Sequence, residues 1–232
     1  YVGALEYRDK IERADGAPDK MPERDLGKAA LLQGLSGDRM VHHHTHRHDD
    51  IVTVLRLREE FGFRVVLHHV SEAARVADEI AAAGVPVSLI VIDSPGGKLE
   101  AQYTALDNAA ALERAGAIVG FHTDDYISDS RLFLRQAALG VRAGMSRDTA
   151  LRGLTQIGAE MLDLQDRIGT LEAGKDADFV ILSGDACSVY TRVLETWVEG
   201  VRRYDIDDPD DRAYAEGGFG VLQPSVIHDF HG

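Results

Sequence analysis

Between Leu26 and about Asp124 the chain alternates short apolar runs of β-forming residues with stretches spaced for helix, each closed by Gly or Pro, the pattern of successive βα units. The first unit runs from Met40 and Val41 through a histidine tract into a helix over 49–60. There Ile51, Val54, Leu55 and Arg58 follow 3.6-residue spacing, Asp49 and Asp50 suit the positive end of the helix dipole, and Gly62 stops the run. The second has a strand over 64–69, Ser71 as N-cap of an alanine-rich helix to Ala83, Gly84 just past its end, and Pro86, which forbids continuation. The third has a strand over 87–92, a Ser94-Pro95-Gly96-Gly97 loop, a helix over about 100–115 stopped by Gly116, and a strand over 117–123. Strands this apolar on both faces fit a buried parallel sheet.

Two further helices are predicted over 131–143 and 147–162, with Gly144 ending the first and Ser146 capping the second. From Ile168 the texture changes to short strands over 179–182, 193–198 and 201–204, with turns at Ser183-Gly184-Asp185 and Glu199-Gly200. The chain therefore divides into an α/β unit over 1–167, a β module over 168–206, and an acidic, Gly-rich tail over 207–232 expected to run extended over the surface.

At 232 residues and 44% hydrophobic, the chain can bury a sizeable core. Its net charge of -14 opposes nucleic-acid phosphates and anionic membrane surfaces, and no apolar run approaches the roughly 20 residues of a bilayer span. Neither nucleic acid nor membrane is expected as a partner; a small-molecule substrate is. The single cysteine, Cys187, rules out an intrachain disulfide framework and leaves the compartment open.

Ten histidines are present, and seven of them fall between His42 and His69. Alternation along a strand puts His42, His44 and His46 on one face and His43 on the other; Val65, Leu67 and His69 share a face in the next strand, as His122 and Asp124 do in the last. Each set sits at a C-terminal strand end, where β/α barrels place their active sites. Neutral imidazoles with a carboxylate suit zinc first, with iron, manganese or nickel as alternatives. The competing structural readings are a tag scar or an adventitious chelating loop at 42–48, a core histidine at His69 and a loop cap at Asp124. His68 is expected to face outward in a structural role.

Four segments, His44-Thr45-His46-Arg47 followed by Asp49-Asp50-Ile51, then Leu67-His68-His69, His122-Thr123-Asp124-Asp125, and Ile168-Gly169-Thr170-Leu171-Glu172-Ala173-Gly174-Lys175-Asp176-Ala177-Asp178, resemble the amidohydrolase superfamily, in its imidazolonepropionase-like group. The resemblance implies the C-terminal half of a metal-dependent TIM-type β/α barrel, strands five to eight, followed by part of a small composite β-sandwich. It implies His44, His69 and Asp124 as metal ligands, one or two ions, and Asp124 and His69 as the catalytic pair, Asp124 shuttling a proton while metal-activated water attacks an amide-type carbonyl, cyclic or peptide-like. His46, Arg47 and His122 are expected to orient metal or substrate, and Arg131 to meet a substrate carboxylate. The His-x-His pair of strand one and the lysine of strand four have no counterpart here, so the missing barrel half is expected upstream or in another chain, in an assembly expected to be homo-oligomeric. The alternative readings are a non-catalytic metal-binding or interaction module and a related barrel enzyme that deaminates or cleaves C–O bonds by similar metal chemistry.

Overall fold

The structure is a computed structural model and describes residues 1–92, 98–125 and 127–217. Two helices, α1 (Val2–Ala14) and α2 (Leu26–Leu35), precede β1 (Val41–Thr45), α3 (His48–Phe61), β2 (Val65–His69), α4 (Ala77–Ala83), β3 (Val87–Leu89), α5 (Asn108–Ala115) and β4 (Val119–Phe121). Three helices follow, α6 (Phe133–Arg142), α7 (Arg147–Leu154) and α8 (Gln156–Met161), then β5 (Phe179–Leu182), β6 (Val193–Val198), β7 (Val201–Asp205) and α9 (Pro209–Glu216). Strands β1 to β4 form one parallel sheet in sequential order, and β5 to β7 a separate antiparallel one. The fold is α/β with a parallel sheet. Among the described residues no helix is long and apolar enough to cross a membrane.

The two faces of the parallel sheet are packed differently. Val65 and Leu67 of β2 join Ile51 and Val54 of α3, Ile80 of α4, Leu112 of α5, and Val87, Leu89 and Val119 in one buried cluster. Val66, pointing the other way, packs with Ile157 and Met161 of α8 and with Met40. Helix α7 approaches β4 so closely that a Cβ at Gly153 would stand 2.8 Å from the Phe121 ring and from the Val119 carbonyl oxygen.

Several predicted elements come out shorter or broken. The strand over 87–92 pairs only over Val87–Leu89, and that over 117–123 only over Val119–Phe121. The helix expected from 100 starts at Asn108, after a 3-10 turn at Leu99–Ala101. The helix over 147–162 breaks at Thr155 (φ -134°, ψ -86°) into α7 and α8. Ser71 caps no helix; it is buried, and Asn108 ties this segment down instead, its Nδ2 donating to the Ser71 carbonyl (2.7 Å) and its Oδ1 accepting from the Ala74 N–H (3.0 Å).

The region expected to be an extended tail begins with helix α9. Its start follows from local chemistry: the Asp208 carboxylate accepts from the N–H groups of Asp210 and Asp211, and Pro209 takes the first helical position, where a missing N–H costs nothing. The Ser94-Pro95-Gly96-Gly97 loop and the Gly-rich end of the chain lie outside the described residues. The Glu199-Gly200 turn closes the β6–β7 hairpin with both φ angles positive, 52° and 72°, as a two-residue hairpin loop requires.

Candidate metal centre

Strand β1 ends at Thr45, and His46 follows it into a site that leaves its side chain only 2% exposed. Its Nδ1 lies 2.7 Å from Ser71 Oγ, which in turn stands 3.0 Å from Thr104 Oγ1. His44, two residues back, reaches the same place from the strand, and His69 comes from the end of β2. The ring centroids are 4.8 Å apart for His44 and His46, 4.4 Å for His44 and His69, and 4.7 Å for His46 and His69. One nitrogen from each of the three lies within 4.8 Å of the others, a spacing that suits ligands of one ion.

His69 meets these partners because the backbone departs from strand geometry. By alternation it belongs with Val65 and Leu67 on the helix-covered face. Its φ is 68° and that of Val70 is 44°, left-handed values that are rare outside glycine and exceptional for a β-branched residue. Strain of this kind costs on the order of 1–3 kcal/mol and persists where surrounding contacts fix it. The contacts are visible: Val70 N–H donates to Thr45 O (2.8 Å) and to His68 O (2.9 Å), and Glu72 N–H donates to His46 O (3.0 Å).

A further ring supports His69. His122 Nε2 lies 3.0 Å from His69 Nδ1, and His122 Nδ1 lies 3.0 Å from Ser88 Oγ. If His69 Nδ1–H donates to His122 and His122 Nδ1–H donates to Ser88, the Nε2 lone pair of His69 is left for a metal; the opposite tautomers block it. Burial pushes His69 down to about 2, with His122, His44, His46 and His68 adding to the effect, and pushes His122 down to about 4. Burial, then the neighbouring His122 and His42, hold His68 at about 4. These rings are neutral at pH 7, the state in which imidazole ligates. His68 does not face outward: it shares the Val66 face, hydrogen-bonds His42 (2.8 Å) and lies 5.4 Å, ring to ring, from His122.

The remaining predicted residues are distributed as follows. Asp124 is exposed, with φ 55°, and stands outside the three-histidine group found among the described residues; its charge acts on His68. Arg47 is exposed and forms a two-pronged pair with Asp49 (2.9 and 3.0 Å). Arg131 pairs with Asp129 and donates to the carbonyls of Tyr214 (3.1 Å) and Gly217 (2.7 Å). His48 bonds Glu72, whose carboxylate is pushed up by burial and pulled further down by the His48 side chain and N–H, so that it ends below the usual range. Sequence reasoning missed Ser71, Ser88, Thr104 and Glu100, whose carboxylate lies 3.3 Å from His44 Nε2. Of these, Ser71 carried the nearest available signal, since it follows His69 by two residues at the end of β2, where its hydroxyl reads as a helix cap.

A profile of the Amidohydrolase family matches residues 25–204, and the chain belongs to that family. It is 26% identical over 198 residues to Amidohydrolase tasK of Hapsidospora irregularis, a match that takes in 84% of this chain and 20% of that protein. The solved structure of an amidohydrolase from Thermotoga maritima is 30% identical and superimposes with a TM-score of 0.80 over 88% of this chain and 53% of that one. An adenosine deaminase from Xanthomonas campestris with bound zinc shares the fold, at 23% identity and a TM-score of 0.57, over 76% of this chain and 47% of its own. The chain thus spans about half the length of these solved structures and a fifth of the first relative.

Proposed function

We propose that this chain carries the metal site of a hydrolase acting on amide-type C–N bonds, cyclic or peptide-like, and forms strands five to eight of a barrel of the imidazolonepropionase-like kind with part of a β-sandwich. The observation that carries the reading is the convergence of His44, His46 and His69 at the C-terminal ends of neighbouring parallel strands. Family membership, and the amidohydrolase name of the 30% identical solved structure, point the same way. Each edge strand, β1 and β4, has one neighbour in the described sheet, which suits a barrel whose other strands, with further ligands, come from outside these residues.

A divalent ion bound there, zinc by the nature of its donors, would supply Lewis acidity to a substrate carbonyl and lower the pKa of water enough for attack near neutral pH. The chain's own groups do the rest. His44, His46 and His69 would hold the ion, with Ser71 fixing the His46 ring and His122 and Ser88 that of His69. Asp124, on the loop leaving β4, takes the proton of the attacking water and returns it to the departing nitrogen.

The test is metal content and hydrolysis of a panel of cyclic and N-acyl amides by the whole protein that carries this chain. His44→Ala and His69→Ala are each expected to lose bound metal and to slow hydrolysis by on the order of 10²–10⁴-fold, the kinetic equivalent of several kcal/mol of lost charge stabilisation. Variants that retain both metal and rate would sink the reading.

A further inference from the structure

Gln136 is the one polar residue among the buried positions of α6, 3% exposed and next to Ala137. A buried amide is costly unless its donors and its acceptor are met. Here two loops meet them at once. Its Oε1 accepts from the N–H groups of Val91 (2.8 Å) and Ile92 (3.1 Å), on the segment leaving β3. Those two donors fix which end of the amide faces them. Nε2 is thereby turned toward the loop after β4, where it donates at longer range to Ser128 Oγ (3.3 Å) and to the Ile92 carbonyl (3.4 Å). Ser128 Oγ closes the circuit by donating to that same carbonyl (2.9 Å).

The loop held in this way carries Asp124. After β4 the chain turns back on itself: Ser128 N–H donates to the Thr123 carbonyl (3.0 Å), and Ile127 N–H to that of Asp124 (3.2 Å). The turn puts Asp124 and Asp125 in the left-handed region, with φ 55° and 46°. Non-glycine residues enter that region at a cost and keep it where neighbouring contacts fix it. Ser128 supplies two such contacts, and Gln136 ties Ser128 to a segment whose Val91 is 1% exposed. Asp124 is itself exposed, so its carboxylate is aimed chiefly by the backbone that carries it.

Resting on the reading of Asp124 as proton carrier, we propose that Gln136, acting through Ser128, is a positioning residue for hydrolysis. It sets the turn that aims the Asp124 carboxylate, and touches neither metal nor substrate. The rival role is stability alone, the amide doing no more than fastening α6 to the strand ends.

A double-mutant cycle in the whole protein separates the two, with metal content, KM, kcat and urea midpoint read for each variant. Asp124→Asn removes the charge but tolerates the left-handed backbone, and is expected to lower kcat by on the order of 10²–10⁴-fold. Ser128→Ala, at a half-buried position, removes the joint between amide and turn. It is expected to lower kcat by on the order of 10–10²-fold, the scale on which a small misplacement acts, with metal content and KM unchanged. In the Asp124→Asn background the same substitution is expected to change kcat by no more than about twofold, because the group it aims is gone. Gln136→Met is expected to repeat this pattern with a lower urea midpoint, since the Val91 and Ile92 N–H groups lose their acceptor. Should Gln136→Met not fold, Ser128→Ala carries the test alone. An unchanged kcat in Ser128→Ala, whatever its urea midpoint, would overturn the proposal. So would equal losses with and without the Asp124 carboxylate, and in both cases the proton-carrier reading stands. Full rate in Asp124→Asn would overturn both.

Discussion

The two sheets are written in similarly apolar sequence and end in opposite surroundings. In the parallel sheet Val66, Leu67, Val87 and Leu89 are fully buried, while in the antiparallel sheet Val180, Ile181, Val198 and Val201 are each at least 40% exposed. The difference lies in what covers them. Helices α3 to α7 close one face of β1 to β4, and α8 packs against the other at Val66 and Gly120. Strands β5 to β7 have the stacked Phe179 and Trp197 rings, 5.6 Å apart, and helix α9 beside β7, but no residue of the three strands is buried. An apolar strand thus reports a preference for pleated, half-buried surroundings and says nothing of whether the covering layer comes from the same segment of chain.

The largest test of this contrast is truncation on each sheet. Leu67→Ala removes a fully buried side chain from the centre of the parallel sheet and is expected to cost about 2–5 kcal/mol in urea unfolding. Val201→Ala, at a position 48% exposed, is expected to change stability by no more than about 0.5 kcal/mol. Equal losses at the two sites would break the comparison.

A smaller effect is expected where α7 meets β4. Gly153→Ala places a methyl 2.8 Å from Phe121 and the Val119 carbonyl, both on a strand held in the sheet, and should cost about 1–3 kcal/mol through overpacking. Gly158→Ala in α8 meets nothing within 4 Å, and the better helix propensity of alanine should make it neutral or stabilising by up to about 1 kcal/mol. If Gly153→Ala behaves like Gly158→Ala in thermal unfolding, the helix layer is not the close-packed cover the contrast requires.

Much of the parallel sheet is legible in the sequence because its signals are local. Apolar runs mark β2 and β3, Gly62 ends α3 in the left-handed conformation (φ 74°), and the Ser146 hydroxyl caps α7 by accepting from Thr149 N–H. The histidine cluster is legible as composition, and the family resemblance singles out His44 and His69. What escapes depends on contacts made through space. Alternation alone leaves His69 on the helix-covered face; the left-handed turn that brings it to His44 is held by hydrogen bonds from Val70 to Thr45 and from Glu72 to His46. His46 reads as a neighbour of the site because nothing local announces its pairing with Ser71, 25 residues later. Glu100 is 56 positions from His44 and reads as the start of a helix. Helix α9 escapes because low hydrophobicity masks a good cap, Asp208 followed by Pro209.

The shallowest expected effect is a pH dependence confined to the parallel sheet. His68, His69 and His122 all have folded-state pKa values below the ordinary 6.5, at about 4, 2 and 4, chiefly through burial. Below 6.5 the unfolded chain therefore binds protons that the folded chain refuses. Stability contributed by the neutral rings is complete above pH 6.5 and is lost progressively as pH falls toward 4 for His68 and His122 and toward about 2 for His69. With metal removed by a chelator, the urea midpoint should fall slightly from pH 7 to pH 6 and more steeply below. Two probes separate the regions. Trp197, the single tryptophan, sits in β6 and reports on the antiparallel sheet, whereas far-ultraviolet circular dichroism is dominated by the helices around the parallel one. Acidification should move the dichroism transition ahead of the tryptophan transition, because the three rings all lie at the ends of β2 and β4 or within β2. A midpoint that holds or rises on acidification would show that the rings are not the buried neutral groups the site requires. Coincident transitions that fall together would show that the two sheets, despite their unequal burial, unfold as one unit.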